Sequence, residues 1–163
     1  MDKICVAVVQ AAPALFDLEA SLEKVEVWAK QAALSGAQLI LFPEAFLPAY
    51  PRGLGFGCVV GSRTPSGRAD WLLYFNQSVR VPGPATIRLG DIARKNKVYL
   101  VIGVTEISES GGTLYCTLLY FSPEGTLLHR HRKLKPTAAE RIIWGEGRGD
   151  DLQILSTPIG RIG

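Results

Sequence analysis

Two charged residues of opposite sign each follow a run of residues typical of a β-strand. Glu44 comes directly after the apolar segment LILFP, and Lys133 lies in the basic segment HRKLK at the end of the run TLLHRHRKL. Open α/β sheets commonly place ligand-binding and catalytic groups at the carboxyl ends of their strands, so both side chains are candidates for such a role. A position in water is the alternative for each, because clusters of charged residues usually form solvated faces or phosphate sites. Neither residue alone decides between the two interpretations.

The sequence alternates between strand and helix patterns, and these elements must position Glu44 and Lys133. The β-branched runs predict strands buried on both faces, and the first helical pattern lies between Asp17, a candidate N-cap, and Gly36. The second helix is predicted to turn Ile87, Ile92 and Ala93 inward. In chain order, the predicted elements are strand 4–10, a helix after Asp17, strand 37–42, helix 84–97, strand 98–107 and a hairpin of two strands over 112–134. This order predicts a mixed α/β fold.

The predicted hairpin turns at SPEG, which has Pro at its second position and Gly at its fourth. Alternation of side chains along its second strand would place His129 and His131 on the same face as Lys133. We expect packed or exposed imidazoles there rather than catalytic ones.

The segment 43–71 is rich in Gly and Pro and joins the second strand to the second helix. It is too long for an ordinary connection in a compact domain, which predicts a functional or disordered loop.

Composition limits the class of protein. The 163 residues are 47% hydrophobic and carry a net charge of +3, which predicts one globular domain without a nucleic-acid surface. The three cysteines, Cys5, Cys58 and Cys116, are widely spaced and accompanied by two histidines, so neither a disulfide framework nor a zinc site is indicated. No export signal or membrane span is recognisable, and a cytoplasmic location is expected.

Three longer segments together resemble the signature regions of the nitrilase branch of the carbon–nitrogen hydrolase superfamily. They are LILFPEAFLPAYPRG, LYCTLLYFSPEGTLLHRHRKLKPTAAER and IIWGEGRGDDLQILSTPIGRIG, in that order. The motifs AYPRG, KLKPTAAER and WGEGRGD are most similar to plant and bacterial nitrilases. The resemblance covers essentially the whole chain and implies a four-layer α-β-β-α sandwich. Residues 1–163 would supply roughly its first half, as a single hydrolase domain that is incomplete at its C-terminus.

The resemblance also implies roles for individual residues. Glu44 matches the general base of the family, Lys133 its catalytic lysine, and Glu140 a second glutamate that orients the lysine and the reacting groups. Tyr50 and Trp144 match positions near the substrate pocket, where aromatic walls would suit an aryl or arylalkyl nitrile. Simple packing in the core or a loop is the alternative for both aromatic residues.

The implied reaction hydrolyses a nitrile to a carboxylic acid and ammonia through a cysteine thioimidate and an acyl-enzyme. In the family the nucleophilic cysteine follows a segment resembling TPIGRIG, so we expect it beyond Gly163 and expect residues 1–163 alone to be inactive. Cys5 and Cys116 are predicted to be inert core thiols. Cys58 lies in the long loop, at a position that the family does not use for the nucleophile. No cofactor and no metal are expected.

Two alternative functions remain open. One is an amidase or another carbon–nitrogen hydrolase activity, which the ratio of acid to amide product would distinguish. The other is a non-catalytic assembly or regulatory fragment of a nitrilase filament. Members of this branch form dimers that extend into spirals or filaments, so a homo-oligomer is expected, with segment 48–81 as a candidate contact. The remaining expected partner is a small nitrile substrate, with no nucleic acid and no membrane.

Overall fold

A six-stranded mixed sheet carries the residues singled out above. The computed structural model of the protein describes residues 3–62 and 64–163. In chain order, the elements are β1 (Val6–Val8), α1 (Leu18–Leu34), β2 (Leu39–Leu41), α2 (Pro65–Gln77), β3 (Val79–Arg80), α3 (Pro84–Asn96), β4 (Tyr99–Ile107), β5 (Leu114–Phe121), β6 (Leu127–Arg132), β7 (Leu155–Thr157) and β8 (Gly160–Ile162). Two short 3-10 helices, Ala138–Ile142 and Gly149–Asp151, follow β6. The predicted α/β class is confirmed.

The sheet is parallel on one side and antiparallel on the other. Its strand order is β1-β2-β4-β5-β6, and β3 pairs with the far end of β4. Strands β1, β2 and β4 are parallel, whereas β4, β5 and β6 form an antiparallel meander. Strands β7 and β8 form a separate two-stranded hairpin. Within the described residues, no helix is both long and apolar enough to cross a bilayer.

Helices α1 and α3 pack side by side on one face of the sheet and build the main core. As predicted, Asp17 caps α1, because its side chain accepts a hydrogen bond from the Ala20 N–H at 2.9 Å. In α3, Ile92 and Ala93 are buried as predicted, but Ile87 is 67% exposed. Leu89 takes the inward position instead, since two residues along a helix correspond to about 200° of rotation.

The prediction that the first strand is buried on both faces is wrong. Val6 and Val8 are 50% and 72% exposed, and Leu41 of β2 is 36% exposed. Both α1 and α3 pack on the other face of the sheet, so these side chains lack the helical cover that Ile40 receives. The β-branched residues therefore predicted the strands, but they did not predict which elements cover each face of the sheet.

The segment predicted as a loop over 43–71 contains the beginning of helix α2, and Arg63 within it lies outside the described residues. Thr64 caps this helix by accepting from the Gly67 N–H at 3.2 Å, and Pro65 occupies its first turn. The apolar residues of α2 follow one another from Trp71 to Phe75 rather than at helical spacing. Because the apolar residues are consecutive, the sequence of this segment does not show the period of a helix.

Candidate active site

A close backbone contact places Glu44 on the sheet. The segment that follows β2 crosses Gly103 of β4, where an added Cβ would lie 2.4 Å from the Pro43 oxygen and 2.6 Å from the Glu44 Cα. Two hydrogen bonds fix the crossing: the Leu47 N–H donates to the Gly103 carbonyl at 3.3 Å, and the Thr105 N–H donates to the Leu47 carbonyl at 2.7 Å. Glycine in β4 is therefore what allows the glutamate to lie directly above the sheet.

Lys133 follows the last residue of β6 and is held at both of its backbone groups. Its N–H donates to the Cys116 carbonyl of β5 at 2.8 Å, and its carbonyl accepts from the Gly147 N–H at 2.9 Å. An added Cβ on Gly147 would lie 2.3 Å from the Arg132 oxygen, so a glycine is needed at this crossing as well. The lysine side chain thus leaves the sheet from a fixed backbone.

The three charged residues predicted from the sequence meet in one hydrogen-bonded group. The Lys133 Nζ donates to Glu44 Oε1 at 2.8 Å and to Glu140 Oε2 at 2.9 Å. Glu140 lies in the first 3-10 helix, and its Oε2 also accepts from the Thr137 N–H at 2.6 Å. The Tyr50 hydroxyl donates to the other oxygen of Glu140 at 2.9 Å. A single ammonium group therefore bridges two carboxylates from distant parts of the chain.

The charges within this group stabilise one another. Partial burial disfavours the charged form of Lys133, but its hydrogen bonds to Glu44 and Glu140 outweigh burial and raise the pKa of its ammonium group. Burial likewise opposes ionisation of Glu140, yet donation from Thr137, Lys133 and Tyr50 lowers the pKa of its carboxyl group. At neutral pH the lysine is thus a fixed cation, and Glu140 is an ionised carboxylate.

Tyr50 and Trp144, the two predicted substrate-pocket residues, lie next to this group. Their rings pack edge to face with centroids 5.6 Å apart. Tyr50 is 40% exposed, whereas Trp144 is 3% exposed and donates its indole N–H to the Tyr74 hydroxyl at 3.3 Å. The Lys133 Nζ lies 5.8 Å from the Trp144 ring centroid, within the range of a cation–π contact. A substrate-contacting role for either residue stays a prediction.

Replacing Tyr50 by Phe tests the contribution of its hydroxyl to the site. We expect Tyr50→Phe to raise the pKa of the Glu140 carboxyl group, because Glu140 loses a donor to its charged form while the ring is retained. An NMR titration of the Glu140 carboxyl carbon measures the change. Tyr99→Phe, at the start of β4, is the matched control and should leave this pKa unchanged. A Tyr50→Phe variant with an unchanged Glu140 pKa would show that the contact does not stabilise the charged carboxylate.

Glu44 lies between two cavities. On one side is a cleft of about 590 Å³ that also includes Tyr50, Arg52, Phe56 and Glu140. On the other side, over the sheet, is a cavity of about 490 Å³. Its lining includes Val8, Leu41, Gly103, Cys116, Leu118, His131 and Lys133. A larger groove along 56–62 and α2 includes none of the three charged residues, so the candidate site is centred on Glu44.

The histidines and the neighbouring cations have partners outside the group of three. His131 Nδ1 lies 3.0 Å from Asp151 Oδ1, and His129 Nε2 lies 2.7 Å from the Asp151 carbonyl oxygen. Arg132 pairs with Glu106, and Lys135 pairs with Glu146. Among the described residues, no cluster of His, Cys, Asp and Glu has the arrangement of a metal site.

Sequence reasoning missed the surroundings of Glu106, which is fully buried. Its carboxylate accepts from Arg130 Nη1 at 3.0 Å, from Arg132 Nη2 at 2.6 Å and Nε at 3.1 Å, and from the Thr117 hydroxyl at 2.7 Å. These bonds tie β4 to β6 across β5, immediately before Lys133. The acid in VTEIS and the alternating arginines in HRHR were the available signal, but strand register was needed to connect them.

The cysteines lie in three different environments. Cys5, predicted to be buried in the first strand, precedes β1 and is exposed, so that prediction is wrong. Cys58 is exposed in the long segment. Cys116 is buried as predicted, but its Sγ lies 3.4 Å from Glu44 Oε1, a contact that its sequence position did not suggest.

Comparison with known proteins identifies relatives of similar sequence and fold. The carbon-nitrogen hydrolase family profile matches residues 5–163. Nitrilase 1 of Arabidopsis thaliana is 48% identical over 97% of this chain, which covers 45% of that protein. An aliphatic nitrilase of Sinorhizobium fredii (strain HH103) is 47% identical over 100% of this chain and 52% of its own length. A bifunctional nitrilase/nitrile hydratase of Lupinus angustifolius, NIT4A, is 50% identical over 96% of this chain and 44% of its own.

Among solved structures, an amidase from Nesterenkonia sp. superposes with a TM-score of 0.65 at 22% identity, covering 94% of this chain and 51% of that one. At this identity the likeness concerns the fold, and it confirms the expected nitrilase-type architecture. The chain spans about half the length of the relatives and of the amidase that it matches.

Proposed function

The chain belongs to the carbon–nitrogen hydrolase family, and we propose that the complete protein is a nitrilase. It would hydrolyse a nitrile to the carboxylic acid and ammonia. The observation that carries this proposal is the bridging of Glu44 and Glu140 by the Lys133 ammonium group. Support also comes from the nitrilases that are 47–50% identical to this chain, whereas the similar amidase structure shares 22% identity.

In the proposed reaction a cysteine outside residues 1–163 supplies the nucleophile, and Glu44 removes its proton. The thiolate then forms a C–S bond to the nitrile carbon, and the nitrile nitrogen receives the proton that Glu44 removed from the thiol, which gives a thioimidate. Water adds to the thioimidate carbon and ammonia leaves, which produces a thioester. A second water molecule releases the carboxylic acid and regenerates the thiol.

Lys133 suits the electrostatic part of this reaction. Its raised pKa keeps its proton on the nitrogen, so it acts as a fixed positive charge near the nitrile nitrogen rather than as a proton donor. Glu140, held by Thr137 and Tyr50, fixes the direction of the Lys133 side chain. Glu44 is the more exposed of the two carboxylates, with 47% of its side chain accessible against 11% for Glu140. Both oxygens of Glu140 accept hydrogen bonds, whereas both donors that contact Glu44 go to its Oε1, which favours Glu44 as the proton acceptor.

A product assay tests the proposed activity. The full-length protein is incubated separately with an arylalkyl nitrile, an aliphatic nitrile and the corresponding amides, and acid, amide and ammonia are measured. We expect acid and ammonia in equal amounts from a nitrile, with amide as the minor product. Release of amide as the main product would instead favour an activity like the hydratase function in the name of the Lupinus relative. Hydrolysis of amides without hydrolysis of nitriles would overturn the proposal.

We also propose that residues 1–163 belong to a single hydrolase domain and that the complete protein forms cytoplasmic homo-oligomers. Contacts through segment 48–81 are supported by its exposed apolar side chains, since Val59, Val60 and Leu72 are 68%, 105% and 56% exposed. A monomeric elution profile of the complete protein would contradict the proposed assembly. Assembly without turnover would favour the non-catalytic alternative.

A further inference from the structure

Two donors converge on one oxygen of Glu44. The Cys116 Sγ lies 3.4 Å from Oε1, and the Lys133 Nζ lies 2.8 Å from the same atom. Among the hydrogen bonds of the described residues, none has Glu44 Oε2 as its acceptor. The carboxylate thus has one oxygen occupied by two donors and one oxygen available for another partner.

The sheet holds the Cys116 thiol where this contact is made. Cys116 pairs with Thr105 of β4, and its carbonyl accepts the N–H of Lys133 from the other side. A backbone hydrogen bond therefore joins the residue that carries the thiol to the lysine. Gly103, two residues before Thr105, brings the backbone of Glu44 down onto this part of the sheet. Cys116 is 5% exposed, so water has little access to compete for its S–H group.

The protonation state of this thiol makes it a donor. Burial, together with the adjacent Glu44 carboxylate, raises the pKa of Cys116 far above that of a free thiol. A thiolate at this position would lie against the negative charge of Glu44. Cys116 is therefore unsuited to be a nucleophile and well suited to donate a hydrogen bond.

We propose that Cys116 is a positioning residue, whose S–H group holds the Glu44 carboxylate in the orientation that leaves one oxygen free to accept the nucleophile's proton. This inference rests on the proposed function, because it concerns the base of that reaction. If Lys133 were the only donor, Oε1 would stay in place, but the plane of the Glu44 carboxylate could still rotate about this hydrogen bond. The thiol supplies a second fixed direction, which restricts the turning and keeps the free oxygen in place.

The test compares Cys116→Ala with Cys116→Ser in the full-length protein. Both variants remove the sulfur and leave a similar space, but serine keeps an O–H donor. We expect alanine to lower kcat/KM for a nitrile about tenfold, mainly through kcat, because a hydrogen bond to a charged group is lost. Serine should restore the rate to within about threefold.

Two controls separate positioning from packing and from general loss of a thiol. Cys5→Ala and Cys58→Ala, at exposed thiols away from Glu44, should leave kcat and KM unchanged. The thermal unfolding midpoints of the alanine and serine variants should be similar. Equal losses of kcat/KM in both Cys116 variants, or an alanine variant with wild-type kcat, would overturn the positioning role. Absence of nitrile turnover in the wild-type protein would instead remove the proposed function, and this inference with it.

Discussion

In the full-length protein, Lys133→Ala is expected to lower kcat/KM for a nitrile by about a thousandfold, the loss typical of removing a group that stabilises transition-state charge. The Lys133 Nζ is the cation between Glu44 and Glu140, at 2.8 and 2.9 Å. Without it, two carboxylates face each other, and negative charge on the nitrile nitrogen has no fixed counter-charge from this group. Initial rates over a range of nitrile concentrations measure the effect.

Lys135→Ala is the matched control for this prediction. Lys135 lies two residues further along, has 70% of its side chain exposed and pairs with Glu146. Its removal takes away the same charge from the same basic segment and should leave kcat/KM within about twofold of wild type, since exposed ion pairs contribute little. A Lys133→Ala variant that retains more than about a tenth of wild-type kcat/KM would contradict the assigned role.

Glu106→Ala is expected to reduce the free energy of unfolding by about 3–5 kcal/mol, the cost of breaking a buried ion pair by removing one partner. Glu106 is fully buried, and its removal leaves the guanidinium groups of Arg130 and Arg132 without their shared acceptor. These contacts tie β6 to β4 just before Lys133. We therefore also expect kcat/KM for a nitrile to fall, but by less than in Lys133→Ala. Urea unfolding of the full-length protein measures the free energy.

Glu109→Ala provides the comparison, since Glu109 lies near the same arginine but has 80% of its side chain exposed. Its carboxylate is 3.8 Å from Arg130, and its removal should cost less than about 0.5 kcal/mol. If Glu106→Ala destabilises the protein no more than Glu109→Ala does, the buried cluster does not hold β6 in place.

The sequence allowed prediction of those features in which a local pattern and the final packing agree. The hairpin of β5 and β6 follows from its strand runs and the SPEG turn, and α1 begins where Asp17 can cap it. Glu44 and Lys133 were candidates from their positions at strand ends, and the resemblance to a family added Glu140 and a role for each of the three. The structure brings their side chains together, while their roles remain predictions.

Features that depend on tertiary packing could not be predicted from local sequence patterns. The phase of α3 was misjudged at Ile87, because a short helix offers several apolar stripes and the sheet selects one. Helix α2 was missed because its apolar residues are consecutive and it is anchored by Tyr74, whose hydroxyl lies 2.7 Å from the Thr105 hydroxyl. The contact between Cys116 and Glu44 requires both the register of β4 against β5 and the crossing at Gly103, and neither is visible as a motif.

If Glu44 and Lys133 assist covalent chemistry at a cysteine outside residues 1–163, the covalent adduct should be found on that cysteine. Full-length protein is quenched in acid during turnover of a nitrile, digested, and its cysteine-containing peptides are examined by mass spectrometry. We predict a thioimidate or acyl adduct on a cysteine outside these residues, with Cys5, Cys58 and Cys116 unmodified. An adduct on Cys116, or full turnover without any cysteine adduct, would contradict the proposed mechanism.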